Sequence, residues 1–177
     1  MKNSCYEKRF SDSTRLTVLA LQEAGVAASK CSTVIDVVLW NLFGQKLDLP
    51  SASTAENISD EAHVLSKVHA TEKVLNSSGV TLHTHGTSRQ KRQYIGQQLT
   101  LSNGSLINLG FSEVATEDSE TLLITTINLL DELSDLYCHV SPQEKDQVFK
   151  SLLEKITSLM SDRAAVMQCY NKKFNVY

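Results

Sequence analysis

Apolar positions recur at helical spacing through the first part of the chain, which predicts helices there. Asp12 or Ser13 is predicted to cap the first helix. Gly25 is predicted to end it, because glycine readily adopts the left-handed backbone that follows a helix. A second helix is predicted over residues 32–43 and is ended by Gly44. Its positions are apolar on nearly every side, which predicts a buried helix.

A third helix is predicted after Pro50, where Ser53 and Glu56 have the spacing of a capping box. The first two helices, joined at Gly25, have the arrangement of a helix-turn-helix, but helices joined at a glycine are also an ordinary helical hairpin. The nearby positive charges form no arginine-rich recognition face, which favours the hairpin. We therefore expect a helical region over residues 1–78 that is at most helix-turn-helix-like.

After Ser78 the pattern changes from helical spacing to the alternation of strands. β-branched and aromatic residues become frequent, and turn residues separate the runs. Strands are predicted over residues 80–84, 93–101 and 105–111.

The dipeptide Asn103-Gly104 predicts a tight hairpin between the second and third strands, because both residues accept the positive φ of a type I′ turn. That turn predicts a register that pairs Leu101 with Leu106 and Leu99 with Asn108. Apolar residues then lie on both faces of the sheet. We therefore expect other elements to pack against both faces of the sheet.

Helical spacing returns at Ser119 and again after Ser141. Ser141 is a suitable N-cap, Pro142 suits the first helical position and Glu144 suits the third. Together these residues predict that a helix begins at this point of the chain.

A short strand is predicted over residues 156–160, and Ser161 or Asp162 can cap a last helix over residues 163–174. The predicted order is helices, three strands, two helices, a fourth strand and a helix. The fold class is therefore α/β, with a helical N-terminal region followed by a mixed sheet over residues 79–177.

The composition is that of a folded protein, because 41% of the 177 residues are hydrophobic and only 7 Gly and 2 Pro are present. A net charge of -3 means that any binding of nucleic acid must be local. Four well-separated cysteines and the lack of a secretory apolar run favour an intracellular protein. The longest apolar run is well short of the roughly 18 residues of a membrane helix, so we expect no membrane partner.

Two histidines, His83 and His85, lie at the end of the first predicted strand. Residues two apart on a strand share a face, so this pair could bind one metal ion. A catalytic zinc site needs more ligands than two, and the remaining histidines add no further pair. Two half-exposed strand histidines are the alternative interpretation.

A basic cluster, Arg89, Lys91 and Arg92, falls in the predicted turn between the first two strands. At a hairpin tip these side chains could contact phosphates of a nucleic acid. A solvated hairpin tip with no ligand is the alternative, since runs of charge are common at such tips.

Four segments carry a family resemblance: residues 82–88 (LHTHGTS), the hairpin of 94–98 with 109–111, the link 115–118, and residues 159–164. They are similar to transposase-derived, DDE-type ribonuclease H-like proteins of animal mobile elements. The similarity extends from roughly Val34 to the end of the chain. It implies an incomplete ribonuclease H-like sheet over residues 79–177.

In that fold, acidic residues on the first and fourth strands bind divalent metal that activates the attacking oxygen. The resemblance implies Asp162 as the fourth-strand remnant, with capping of the last helix as its alternative role. His85 stands where the first catalytic aspartate is expected. The chain ends soon after Asp162, so we expect the part with a third acidic residue to be absent.

A neutral imidazole cannot supply the anionic oxygen that Mg²⁺ prefers. The resemblance therefore implies a degenerate, non-catalytic protein without a cofactor, with a divalent metal such as Mg²⁺ only if activity remains. The expected partners are DNA, a second copy of the chain or a host protein, and the ancestry implies a nuclear location. Two alternatives stay open: an active metal-dependent nuclease or transposase fragment, and an oligomerising protein-interaction module.

Overall fold

The computed structural model describes residues 10–161 and 165–175. Its helices and strands follow the predicted order, so the mixed α/β class is confirmed. Among the described residues, those up to Val64 form one compact unit and those from Leu65 onward form another. The elements in chain order are α1 (Asp12–Glu23), α2 (Ala28–Phe43), α3 (Ala52–Leu75), β1 (Val80–Arg89), β2 (Arg92–Leu101), β3 (Leu106–Val114), α4 (Ser119–Cys138), α5 (Lys145–Lys155), β4 (Ile156–Ser161) and α6 (Ala165–Phe174).

The first unit has a small core, to which α2 contributes one buried residue, Cys31. The prediction that α2 is buried on nearly every side is therefore wrong. Burial requires a neighbouring element, and the described residues of this unit supply one only against the first half of α2. Five apolar side chains in its second half are 46% to 70% exposed: Val37, Val38, Trp40, Leu42 and Phe43.

The exposed apolar residues of α2 raise the question of a membrane span. Among the described residues, no single helix is both long and apolar enough to cross a bilayer. α1 and α2 have the necessary length and composition only when taken together, and they are bent by 115° where they join.

The helix ends in this unit depend on local capping. Gly25 (φ +88°) follows α1 and Gly44 (φ +64°) follows α2, as predicted. The start of α3 differs, because the Ser51 hydroxyl accepts a hydrogen bond from the Thr54 N–H at 3.2 Å. The predicted capping box at Ser53 is thus wrong by two residues, since a nearer serine already satisfies the free backbone N–H.

The second unit is built on a four-stranded sheet in the order β3-β2-β1-β4. β2 runs antiparallel to both β1 and β3, whereas β4 joins β1 in parallel. The parallel pair needs a long crossover connection, which α4 and α5 provide. β1 is therefore a central strand with a neighbour on each side.

The hairpin at Asn103-Gly104 forms where it is predicted, but its turn is of another type. Gly104 has a φ of +83°, whereas Asn103 is not among the residues with positive φ. Leu101 accepts a hydrogen bond from the Gly104 N–H and donates its own N–H to Ser105, which closes a three-residue loop. The extra loop residue shifts the register by one, so both predicted pairs are wrong. The observed pairs are Leu99 with Ile107 and Thr100 with Leu106.

The two-residue turn with positive φ lies instead between β1 and β2, at Gln90 (φ +52°) and Lys91 (φ +64°). Arg89 and Arg92 pair directly across it. β1 therefore continues to Arg89, well beyond its predicted end at residue 84. The predicted basic cluster therefore lies at the tip of this longer hairpin.

The later helices differ from prediction at one boundary. α5 begins at Lys145, so the predicted start at Ser141 is wrong. The N–H of Ser141 bonds to the Tyr137 carbonyl at the end of α4, so this serine belongs to the end of one helix rather than the start of the next. β4 lies where it is predicted, and Asp162, which follows it in sequence, lies outside the described residues.

Helices cover one face of the sheet, where Leu82, Ile95 and Leu99 are buried against residues of α3, α4, α5 and α6. The apolar residues of the other face belong to no core cluster, and Leu106, Phe111 and Met160 are 59% to 60% exposed. The predicted cover on both faces is thus wrong for the described part of this unit. We call this second face the open face; strand pairing places on it Thr81, His83, His85, Thr87 and Arg89 of β1, Arg92, Tyr94, Gly96, Gln98 and Thr100 of β2, Leu106, Asn108, Phe111 and Glu113 of β3, and Ser158 and Met160 of β4.

Candidate nucleic-acid interface

His85 takes part in a row of three residues across the open face. It pairs with Gly96 on β2, and Gly96 pairs with Phe111 on β3. The rings of His85 and Phe111 meet edge to face, with centroids 5.9 Å apart and planes at 83°. A Cβ on Gly96 would lie 2.5 Å from His85 Nε2 and 2.7 Å from Phe111 Cε1. Glycine is therefore needed in the middle strand, because both rings lie over its backbone.

His83 lies on the same face as His85, as the strand period predicts. Its Nε2 atom is 2.8 Å from the hydroxyl oxygen of Thr100, and the residue is half-buried. The described part of the chain contains no group of three His, Cys, Asp or Glu residues placed to hold a metal ion. Each histidine thus has a side-chain neighbour of its own, Thr100 for His83 and Phe111 for His85.

The middle of β1 lies beside the end of β4, because Thr84 pairs with Ser161. This is the neighbourhood in which the family resemblance implies two carboxylates, one after each of these residues. His85 occupies the first place. Asp162, the candidate for the second, lies outside the described residues, and the Ser161 hydroxyl accepts a hydrogen bond from Asn171 at 3.2 Å.

On the helix-covered face, behind the paired residues Thr84 and Gln97, lies a buried polar cluster that the sequence interpretation missed. Gln97 Nε2 donates to Thr126 Oγ1 at 2.6 Å, and the Tyr170 hydroxyl lies 3.1 Å from the same oxygen. Since Thr126 donates its own proton to the Leu122 carbonyl, the tyrosine is the donor. Burial raises the pKa of Tyr170 above its usual value. A glutamine among the inward-facing apolar residues of β2 is the sequence signal that could have found this cluster.

Carboxylates near the end of β1 have structural partners. Glu117 lies against Gly86, where a Cβ would overlap its carboxyl group. Asp118 caps α4 by accepting the N–H groups of Glu120 and Thr121, each at 2.9 Å. The hydrogen bond from the Thr116 hydroxyl, followed by those from Thr121, holds the pKa of Asp118 well below its usual range. Asp118 thus places its negative charge at the positive end of the α4 helix dipole.

The basic cluster is exposed at the β1–β2 hairpin, as predicted. Arg89 and Arg92 lie on the open face, and Lys91 lies at the tip. Arg92 Nη1 is 3.3 Å from Glu113 Oε2, in an ion pair whose two side chains are 64% and 51% exposed. Such exposed pairs contribute little to stability and exchange readily with other partners. The arginines therefore remain available to an anion.

The open face thus combines two features that the sequence interpretation treated apart. The sequence alone pointed to the arginines and to His85, but not to Phe111, Tyr94 or Gly96. The signal for Gly96 is an isolated glycine inside a strand, which marks a close approach by another group. Cations and rings share one face because residues 85, 87 and 89 continue the strand alternation that buries Val80, Leu82 and Thr84 on the opposite face.

No protein-family model and no curated protein matches this chain. The functional interpretation therefore depends on the arrangement of residues from the middle of β1 to the β1–β2 hairpin. That arrangement consists of a packed histidine, an exposed phenylalanine and a basic hairpin on a face that the described residues of the second unit leave uncovered.

Proposed function

We propose that this chain is a non-catalytic, transposase-derived ribonuclease H-like protein that functions by binding nucleic acid. The observation that carries the proposal is the environment of His85. Where the family resemblance implies a carboxylate, the His85 ring packs over Gly96 and against Phe111. An imidazole in this place contributes packing and supplies no anionic oxygen for Mg²⁺.

The strand layout supports the ancestry. A central β1 with β4 parallel beside it brings the middle of β1 next to the end of β4, the two places where the family resemblance implies the first two carboxylates. Residues 85 and 162 directly follow the paired residues Thr84 and Ser161 in the sequence. This is the strand neighbourhood that a catalytic relative would need.

Binding is supported by the charges at the hairpin. Arg89, Lys91 and Arg92 are exposed together, whereas the whole chain has a net charge of -3. A local cluster of this kind contacts phosphates without requiring a basic protein. A nuclear location follows from the proposed ancestry and is tested by imaging the tagged full chain in cells.

The absence of catalysis is tested by incubating supercoiled DNA with the native chain in Mg²⁺ or Mn²⁺. We expect no cleavage above background. His85→Asp restores the carboxylate of the family pattern, and His85→Ala is its matched control because it removes the ring without adding charge. Metal-dependent cleavage by the native chain that is lost in Asp162→Asn would contradict the proposal.

Binding is tested by titrating the native chain into labelled DNA at about 50 mM and about 200 mM salt. We expect a complex that weakens with salt and is lost when Arg89, Lys91 and Arg92 are all changed to Gln. The matched control changes three lysines elsewhere, Lys73, Lys150 and Lys172, which are also exposed. The absence of any complex at low salt would remove nucleic acid from the proposal.

A second candidate function is self-association through the exposed half of α2. The observation that favours it is the group of five apolar side chains at 46% to 70% exposure, extended by Leu47 at 55%. An apolar surface of this size, on the order of several hundred Å², is typical of a contact site. Sedimentation of the native chain and of Leu42→Gln tests it, with Leu106→Gln as control. A native monomer at all concentrations would reject this candidate.

A further inference from the structure

We infer that the open face binds single-stranded nucleic acid, with a base stacked on Phe111 beside His85 and with phosphates held by Arg89 and Arg92. This inference rests on the proposed nucleic-acid binding and adds which form of nucleic acid is bound and which residues contact it. It extends the site from His85, which stands where the family resemblance implies the first carboxylate, to Phe111 and the arginines on the same face.

The ring site is held in place by the strands. Phe111 is 60% exposed, so the ring is accessible from solvent. Its position is set by edge-to-face contact with His85 and by the lack of a side chain on Gly96, where a Cβ would displace both rings. Tyr94 lies one same-face step from Gly96 toward the hairpin. Nucleobases stack on aromatic rings of this kind with little dependence on sequence.

The charges lie along the same face. Arg92 and Gly96 are separated by two same-face steps of β2, or about 13 Å. Arg89 is directly opposite Arg92, so two guanidinium groups lie at one end of the path that leads to Phe111. A flexible backbone that follows this path can place a phosphate at the arginines and a base at the ring.

Single strands fit this face better than a duplex does. In a duplex the base faces are stacked on one another and are not available to a side chain, whereas unpaired bases can be splayed onto a sheet surface. Three other positions on this face, Gln98, Thr100 and Asn108, carry side chains of the kind that hydrogen-bond base edges. The exposed apolar residues of this face, Leu106, Phe111 and Met160, lie on the two edge strands, so its central strands lack the apolar centre of a protein–protein interface.

The test uses the full chain and a fluorescein-labelled oligothymidylate of about 12 nucleotides, a length within the range that one small domain binds. Anisotropy is measured at two salt concentrations, with an unlabelled duplex of equal length as competitor. Phe111→Leu keeps an apolar side chain but removes the ring, and Phe111→Trp restores a ring. Leu106→Ala is the matched control, because Leu106 lies on the same strand and face with the same 60% exposure.

We expect the single strand to bind better than the duplex, Phe111→Leu to weaken binding about 5- to 100-fold, and Phe111→Trp to recover it. Leu106→Ala should bind as the native chain does. Salt-dependent binding that favours the duplex and ignores Phe111→Leu would overturn this inference but leave the proposed function standing. Failure of both forms to bind would overturn both. Assembly of the native chain that Phe111→Leu abolishes, without oligonucleotide binding, would show that the face instead serves a second copy.

Discussion

Thr126 accepts hydrogen bonds from two buried donors, so replacing it should destabilise the second unit more than any other single hydroxyl removal. Thr126→Val keeps the shape of the side chain but leaves Gln97 Nε2 and the Tyr170 hydroxyl without this acceptor. A buried donor left without a partner costs about 1–3 kcal/mol, so we expect a loss of about 3 kcal/mol in the free energy of unfolding. Tyr170→Phe, which removes a donor and leaves none unpaired, should cost only about 1 kcal/mol.

The assay is urea unfolding followed by far-ultraviolet circular dichroism, with the slope of the transition compared between variants. Thr125→Val is the matched control, since Thr125 is the half-buried neighbour on α4 and undergoes the same change. We expect the control to stay within about 0.5 kcal/mol of the native chain. Combining Thr126→Val with Gln97→Met removes the acceptor and one donor together. The double variant should therefore lose about 1 kcal/mol less unfolding free energy than the two single variants lose in sum. Equal stabilities of Thr126→Val and Thr125→Val would refute the argument.

Three further changes test other features. Gly96→Val should cost about 1–3 kcal/mol in urea unfolding, because its side chain overlaps two rings; an unchanged midpoint would contradict the packing described for His85. Gly104→Ala should cost about 1 kcal/mol, because φ is +83° with open space around it, and Gly104→Asn should recover part of this. Asp118→Asn should lower the melting temperature above about pH 4, with a difference that shrinks at lower pH; a difference constant down to about pH 2 would argue against the cap. The sign follows from the lowered pKa of Asp118 in the folded state. The ionised carboxylate stabilises the folded chain fully above the unfolded-state pKa, and this stabilisation is lost as the pH falls toward the folded-state pKa.

The predictions that the structure confirms concern signals that act over a few residues. Gly25 and Gly44 end helices because no distant group is needed to favour a left-handed residue at these points. The hairpin at Asn103-Gly104 was located correctly for the same reason. Its type and register were not, because the choice between a two-residue and a three-residue loop depends on how the flanking strands fit the sheet.

The candidate site was only partly predictable. Strand alternation was enough to place His83 and His85 on one face, and the hairpin tip was enough to expose the basic cluster. The contact between His85 and Phe111 was not predictable, since these residues are far apart in sequence and meet only across Gly96. The Gln97–Thr126–Tyr170 cluster likewise joins two helices to a strand.

The sequence by itself determined the α/β class, the order of the elements and some of their ends, because spacing and capping are properties of neighbouring residues. Only the tertiary structure decided which apolar and aromatic residues remain exposed. The second half of α2 and the open face have the composition of surfaces that could be covered, yet the packing of the described residues leaves them in solvent. Burial depends on what lies opposite a side chain, and that partner comes from elsewhere in the chain.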